Sequence, residues 1–343
     1  MNNKLVSIIV PTYNGEKFIA QTLEAIIDQD YDNLEIIVVD DVSTDNTVEI
    51  AQKILEGSGR KFQLIRRTVN GMQSAARNTG LDAANGEYVI FFDHDDLAEK
   101  NFVLSLYSKA EKENADFVFC PFKKFFQSED RYENPKFVDI NKNFFSGEYC
   151  LRLWIKKKIA FRGVWNCIFR KSFLNGINLR FNENCFFGED EEFLIKAMIS
   201  ASRVGFDRET SYTYVQHSGQ TLAKYEAIEK QLMPMGHLML ANFRTGHYIR
   251  KYSDCEKRKQ YAKNFLVPDS IVKMITVYAR SESLEEYQRK LKVLNHKKVH
   301  ALLLSTRKFI FKKPELFFKA LMILYVPNLY YKIRHRRQSS NKN

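Results

Sequence analysis

The sequence predicts an α/β protein in which a mostly parallel sheet is flanked by helices and followed by a helical C-terminal region. Three observations predict it. β-Branched apolar runs alternate with segments of helical periodicity through about the first 120 residues, acidic residues cluster where the fourth run ends, and strand-like runs give out beyond Tyr225. Alternation of this kind is the signature of βα units laid into a parallel sheet.

The elements follow in order. Leu5 to Val10 is a short apolar run ended by Pro11, after which Phe18, Ile19, Thr22, Leu23, Ile26 and Ile27 recur at helical spacing. Leu34 to Val39 reads as a second buried strand. The segment Ser43-Thr44-Asp45-Asn46-Thr47 is dense in residues that cap helix N-termini, and the helical set Val48, Ala51, Ile54 and Leu55 comes next. A third strand, Phe62 to Ile65, leads to a helix of small residues, Ser74 to Ala84, which Asn85-Gly86 stops. The fourth strand, Tyr88 to Phe92, runs directly into Asp93-His94-Asp95-Asp96. These carboxylates therefore fall at a strand's C-terminal end, the edge at which open α/β sheets bind ligands. A helix near Phe102 to Lys112 and a strand from Asp116 to Cys120 complete the regular part. Beyond Pro121 the pattern loosens to a strand or helix around Trp165 to Phe173 and a strong helix from Glu189 to Ser202.

Composition narrows the function classes. Hydrophobic residues make up 45% and charged residues 27% of the 343, the balance of an ordinary globular protein. The five cysteines are odd in number, widely spaced and without a CxxC pair, which indicates neither a disulfide framework nor a zinc site. The N-terminal run does not match a signal peptide, so a cytoplasmic setting is expected. Of the formal net charge of +12, residues 307–343 contribute ten Lys or Arg against one Glu, leaving +3 for everything before. The basic character belongs to the tail and points to anionic lipid, not nucleic acid, for which a reading module is missing.

Glycine-rich phosphate loops, GxGxxG or GxxxxGK[ST], are absent. Asp93-x-Asp95 offers another way to hold phosphate, since a hard divalent cation binds through one or two carboxylates while substrate phosphates supply further oxygens. An acidic loop after a strand is by itself more often a solvated turn. Context changes that reading. The runs Val6-Ser7-Ile8-Ile9-Val10-Pro11-Thr12-Tyr13-Asn14 and Val39-Asp40-Asp41-Val42-Ser43-Thr44-Asp45-Asn46-Thr47 resemble the family 2 glycosyltransferases of the GT-A fold. Ala76-Arg77-Asn78-Thr79-Gly80 resembles that family's ARNxG segment, Phe91-Phe92-Asp93-His94-Asp95-Asp96 its DxDD segment, and Gly188-Glu189-Asp190-Glu191-Glu192-Phe193 its EDxxF segment.

The resemblance implies a GT-A, Rossmann-like sheet and an inverting transfer of sugar from a nucleotide-sugar, a UDP-sugar above all, to a saccharide acceptor of the bacterial cell surface, either a polysaccharide or its lipid-linked precursor. It places Pro11, Tyr13 and Asn14 in the nucleoside pocket, with Asp40 or Asp41 reading the base edge; either can instead cap the next helix. Arg77 and Asn78 fall on the donor side, where the guanidinium contacts the diphosphate, orients the acidic loop or makes a surface ion pair. Asp95, assisted by Asp93, holds Mg2+ or Mn2+, and His217 touches the metal or phosphates or is simply structural. His94 is a poorer ligand because adjacent strand-end side chains point to opposite sides. Asp190 is the general base, although an acidic residue in a helix's first turn also meets the helix dipole. Trp165 and Glu189 lie on the acceptor side, Trp165 either stacking on a sugar face or filling the core. Cys167 stands where a Lys is common in the family's WNK-type segment.

The expected organisation is a catalytic domain over residues 1–224, with a nucleotide-sugar half (1–120) and an acceptor half (121–224), then a helical region over 225–343 ending in a basic amphipathic tail. The tail's apolar run, Leu316 to Val326, is too short to span a bilayer. It is expected to lie on an anionic membrane, with Tyr325, Tyr330 and Tyr331 at headgroup depth, or else to pack on the protein's own core. A peripheral position at the inner face of the plasma membrane follows. The rival readings are a nucleotide-binding protein without catalysis and a basic nucleic-acid-binding protein.

Overall fold

The computed structural model describes residues 3–135, 143–155, 163–185 and 188–217, the two helices over 314–325 and 327–340, and a few residues between. Two compact units divide the chain, Met1–Gln220 and Thr221–Asn343. The boundary expected near residue 225 lies outside the described residues.

The first unit runs β1 (Val6–Thr12), α1 (Ile19–Ile27), β2 (Leu34–Asp40), α2 (Thr47–Gly57), β3 (Lys61–Arg66), α3 (Met72–Ala83), β4 (Tyr88–Phe91), β5 (Leu97–Ala98), α4 (Phe102–Lys112), β6 (Phe117–Phe119), β7 (Phe122–Phe126), β8 (Arg131–Glu133), β9 (Phe144–Phe145), α5 (Gly147–Ile155), β10 (Cys167–Arg170), α6 (Lys171–Gly176), α7 (Glu189–Ser200), β11 (Val204–Phe206) and β12 (Tyr212–Gln216). The larger sheet has the order β3-β2-β1-β4-β10-β6-β11-β9. Its strands are parallel except β10, which opposes both neighbours, and the edge strand β9. Every residue of β1, β2 and β4 is buried. Strands covered by helices on both faces read as unbroken apolar runs, which is why they were visible in the sequence.

One boundary differs from expectation. β1 continues through Pro11 to Thr12, whereas the sequence reading ends the strand at Pro11. The reason is the pairing: β4 accompanies β1 only from Val6 to Ile9, so at Pro11 the ladder has one partner left, β2. A proline that cannot donate is tolerated where a strand becomes an edge. Around Trp165 to Phe173 the chain forms both elements in turn, β10 and then α6.

A smaller sheet, β5-β12-β7-β8, carries the chain back over the end of β4. β5 follows the acidic loop directly and pairs antiparallel with β12, Tyr212 opposite Ala98 and Thr213 opposite Leu97. Residues after Thr213 must therefore run alongside those before Leu97.

In the second unit α8 (Pro314–Tyr325) and α9 (Pro327–Ser340) are described. Among the described residues no helix is long and apolar enough to cross a membrane. Tyr330 and Tyr331, expected at headgroup depth, are buried, and Tyr331 stacks on Tyr287 with ring centroids 5.3 Å apart. The sequence pattern did not reveal that partner because it lies more than forty residues away in the chain.

Close helix-to-sheet approach depends on Gly80 of α3, where an added Cβ would lie 2.3 Å from Ile9 Cγ2 and 3.3 Å from Val39 Cγ2. Ile9 is wholly buried and branched at Cβ, so it has no room to turn away. Overpacking costs about 1–3 kcal/mol, against a helix-propensity gain of about 1 kcal/mol. Gly80→Ala is therefore expected to lower the unfolding free energy by up to roughly 2 kcal/mol, read as a lower urea midpoint with an unchanged m-value.

Candidate active site

The centre of the site is a buried cation. Arg77, on the sheet-facing side of α3, is 1% exposed. Its Nη1 donates to Asp190 Oδ1 at 2.7 Å and to Glu189 Oε1 at 3.3 Å, and its Nη2 donates to Asp93 Oδ1 at 2.8 Å. The ring of Phe181 lies 5.2 Å from the guanidinium carbon. Asp93 begins the loop after β4, while Glu189 and Asp190 open α7, whose N-cap is Gly188 at φ 79°. Glu189, Asp190, Glu191 and Glu192 all fall in the first turn of α7, where the helix dipole favours negative charge.

Three carboxylates share one guanidinium, and the proton affinities of Asp190 and Glu189 record the surplus. Burial raises Asp190 to about 8; Arg77 pulls it down by less than burial pushes it up, and the Glu189 and Asp93 charges push it further. Burial likewise raises Glu189 against the pull of Arg77. Arg77 itself is held cationic by Asp190, Asp93 and Glu189 although burial works against its charge. One cation thus faces three part-buried carboxylates, and the surplus negative charge favours the protonated form of Asp190 and Glu189.

The other half of the loop faces β12. His217 Nε2 lies 2.9 Å from Asp95 Oδ2, and its ring stacks on Phe18 at 4.0 Å. Burial alone would raise Asp95, but the hydrogen bond from His217 and the nearby charges of His94 and His217 hold it below its ordinary value. Asp96, wholly buried, accepts Val215 N–H at 2.8 Å, and Tyr212 Oη accepts Asp93 N–H at 3.2 Å. Burial and the charges of Asp95 and Asp93 push the Asp96 carboxyl well up. His94 turns the opposite way, its Nδ1 3.3 Å from Pro11 O.

Beside this loop, the ends of β1 and β2 are knitted together. Asn14 N donates to Ser43 Oγ at 2.9 Å, Thr44 N donates to Asn14 Oδ1 at 2.8 Å, and Gly15 N donates to Thr47 Oγ1 at 2.7 Å. Both oxygens of Asp40 accept Ser43 N–H at 3.2 Å. Asp41 pairs with Arg67 and accepts Gly71 N–H at 3.1 Å. Asn14, Val42 and Met72, all at sheet-end turns here, have φ of 48°, 70° and 62°. Such conformations persist only where surrounding contacts over-determine them, and for β-branched Val42 the strain is greatest. Tyr13 stands out from the sheet edge, 47% exposed.

The family model for glycosyl transferase family 2 matches residues 7–177, which hold β1 through α6 and the whole acidic loop. The chain belongs to this family. The uncharacterised glycosyltransferase EpsJ of Bacillus subtilis is 36% identical over 213 residues, 61% of this chain and 60% of EpsJ. The poly(ribitol-phosphate) β-N-acetylglucosaminyltransferase TarS of Staphylococcus aureus is 28% identical over 210 residues, 61% of this chain and 35% of TarS. The crystal structure of TarS residues 1–349 with UDP-GlcNAc superposes with a TM-score of 0.73 at 19% identity, covering 98% of this chain and 92% of that one, so the GT-A fold is shared.

Within this family 2 chain, several expected contacts need correction. Arg77 is not a surface ion pair: it is buried, and both terminal nitrogens donate to carboxylates of the acidic loop and the start of α7. Asn78 was expected on the donor side, yet its amide is fully engaged with the loop after α6. Its Oδ1 accepts Phe181 N–H at 2.8 Å, and its Nδ2 donates to Phe181 O and Glu183 Oε1 at 3.0 and 2.9 Å. Asp40 is wholly buried and accepts the Ser43 amide, and Asp41, also buried, pairs with Arg67 and accepts the Gly71 amide, so both carboxylates are engaged in the turns at the end of β2. Trp165 is a core residue, 5% exposed, stacked on Tyr212 and Tyr214 at 4.7 and 5.5 Å with Phe122 edge-on, and presents no open face to a sugar. Glu189 faces Arg77. Cys167 is buried in β10, its thiol pushed up by burial, so no charge replaces the family's Lys there.

Two residues that orient the site were missed. Asp96 was visible as the fourth member of Asp93-x-Asp95-Asp96, but a second carboxyl next to a candidate ligand reads as another solvated acid. Tyr212 carries no local signal; its role comes from the β5–β12 pairing.

Replacing Arg77 tests the cluster. Arg77→Met leaves three buried carboxylates facing one another, and breaking a buried ion pair from one side costs about 3–5 kcal/mol. Without the guanidinium the folded-state pKa values of Asp190 and Glu189 rise further above their unfolded values. That stability is present at low pH and is lost as pH rises through the raised values. The deficit relative to wild type in urea unfolding is therefore expected to be larger at pH 8 than at pH 5.

Proposed function

We propose that this protein transfers a sugar from a UDP-sugar to a saccharide acceptor by single displacement with inversion, using machinery within residues 1–224. The observation that carries this reading is the convergence of Asp93 and Asp190 on one buried guanidinium, which fixes a candidate phosphate-side carboxylate and a candidate base relative to each other. The family and the UDP-GlcNAc held by TarS support a uridine donor. The acceptor is proposed to be a growing cell-surface polysaccharide or its lipid-linked precursor, in keeping with the polymer named for TarS.

The donor set fits a hard divalent cation, Mg2+ or Mn2+. Asp93 and Asp95 would hold it, with His217 against Asp95 as the nitrogen donor at the same edge. Among the described residues no three His, Cys, Asp or Glu side chains form a ready-made cage, so a cation would complete its shell from the donor diphosphate, as Mg2+ commonly does. Bound there, it supplies neutralisation of the departing nucleotide's charge.

The chain's own residues do the rest. Tyr13 offers an exposed ring to the base, Asn14 and Pro11 shape the turn beneath it, and Asp41, oriented by Arg67, accepts the uracil imide N–H. Asp190 takes the proton from the acceptor hydroxyl as its oxygen attacks the anomeric carbon, and the bond to diphosphate breaks with its electron pair on the leaving oxygen. Attack from the face opposite the leaving group, through an oxocarbenium-like transition state, inverts the configuration. Arg77 keeps Asp190 aimed, and the surplus negative charge around it keeps the carboxylate basic.

Release of UDP from a panel of nucleotide sugars, with and without metal, tests the reading; a protein that binds UDP but turns over none of them is the non-catalytic alternative. Asp190→Asn is expected to lower kcat by about 10²-fold or more while donor affinity stays within about twofold. Collapse of donor binding would instead make Asp190 a donor ligand. Because the base must be deprotonated, kcat/KM should rise with pH, with a midpoint above the ordinary carboxylate range. Glu189→Gln should lower that midpoint, since Glu189 is one of the charges that raise Asp190. Asp95→Asn should abolish turnover and metal-dependent UDP binding together, because a neutral amide is a poor partner for a hard cation. Full activity in chelator would overturn the metal assignment.

A further inference from the structure

The tail helices carry apolar side chains on two faces, and one of those faces is bare. In α8, Ala320 and Ile323 are buried, while Phe318 and Tyr325, seven residues apart and so on one side of the helix, are 58% and 65% exposed. In α9, Tyr330 and Tyr331 are buried, while Leu329 and Ile333, four apart, are 50% and 36% exposed. One set of apolar residues is already used for packing, as Tyr331 on Tyr287 demonstrates. A second outward set at helical spacing is not needed for the fold and has no covering contact among the described residues.

Charge identifies what covers it. Residues 307–343 hold ten Lys or Arg against one Glu. Lys319 and Lys332 are exposed next to the bare stripe. The single acid, Glu315, is itself paired with Lys319 at 3.6 Å. A stripe of Phe, Tyr, Leu and Ile bordered by lysines matches a surface that is apolar within and negative at its rim. We infer that the outer face of α8 and α9, through Phe318, Tyr325, Leu329 and Ile333, docks on an anionic lipid bilayer, with Lys319 and Lys332 against the headgroups. This differs from the expectation drawn from the sequence, since Tyr330 and Tyr331 stay on the protein side and the opposite stripe inserts. The inference does not depend on sugar transfer.

Exposed side chains can be changed without opening the core. The full chain is mixed with vesicles of phosphatidylcholine alone and of phosphatidylcholine with phosphatidylglycerol, at low and high salt, and sedimented. Binding is expected with the anionic vesicles only, weakening with salt. The triple substitution Phe318→Ser, Leu329→Ser, Ile333→Ser should reduce partitioning on the order of a hundredfold, and Lys332→Gln alone about fivefold. Both should leave the circular dichroism spectrum and UDP binding unchanged. Should the triple variant unfold, Lys332→Gln and the salt series carry the test alone. No binding to anionic vesicles, or binding that the triple variant retains while folded, overturns the inference. So does a concentration-dependent dimer in sedimentation velocity that the triple variant dissolves, because the stripe would then cover a second copy of the chain.

Discussion

Arg77 sits where two distant parts of the chain must meet. Asp93 lies in the loop that follows a strand of the parallel sheet, whereas Asp190 lies in the first turn of a helix about a hundred residues later. Each is drawn to the same guanidinium within 2.8 Å. At an effective dielectric constant near 20, a pair of unit charges 4 Å apart is worth about 4 kcal/mol. Each carboxylate is held by its attraction to Arg77, on which Asp190 and Glu189 share one nitrogen and Asp93 takes the other. The three anions are held as a set that none could join alone, and the geometry of the loop and of the α7 start follows from one buried cation. The same arithmetic leaves a net negative charge, and this is why burial and neighbouring carboxylates raise Asp190 despite an ion pair that would ordinarily lower it.

The second constraint is register. β5 has two residues, too few to be stable alone, yet its antiparallel pairing with β12 sets Val215 beside Asp96 and His217 beside Asp95. A one-residue slip would turn each of these side chains to the other face. Asp96 resists the slip because its carboxyl holds the Val215 amide, and Tyr212 resists it by taking the Asp93 amide. The acidic loop is therefore gripped from the α3 side by Arg77 and from the β12 side by backbone hydrogen bonds.

How much of this was legible in the sequence depends on how far each signal reaches. The strands β1, β2 and β4 and the helices between them were legible to within about two residues, because burial on both faces writes itself as unbroken apolar runs. The two- and three-residue strands β5, β9 and β11 were not, since so short a segment has no period to detect. The family resemblance placed Arg77, Asp93, Asp95, Asp190 and His217 in one neighbourhood, but it could not say where a side chain points. Asn78 lies one residue from Arg77 in α3, and a step of about 100° turns it from the acidic cluster to the Phe181 loop. Trp165 is a similar case. Its position in the chain suited an acceptor role, while the rings of Tyr212 and Tyr214, nearly fifty residues on, close it into the core.

Charge links these parts of the molecule in one further step. Five carboxyl groups, those of Asp93, Asp95, Asp96, Glu189 and Asp190, surround the proposed site against the guanidinium of Arg77 and the imidazoles of His94 and His217. A nucleotide sugar is itself an anion. On the proposed reading, donor and protein repel unless a cation stands between them, so a divalent metal is demanded by electrostatics as well as by the ligand types of the DxD loop. Neutralising charge brought in with the donor would also relieve the pressure that keeps a proton on Asp190. Donor binding would thereby release the base at the moment an acceptor can use it. On that reading the excess of acid holds the Asp190 carboxyl in its protonated form more strongly while no neutralising cation is present.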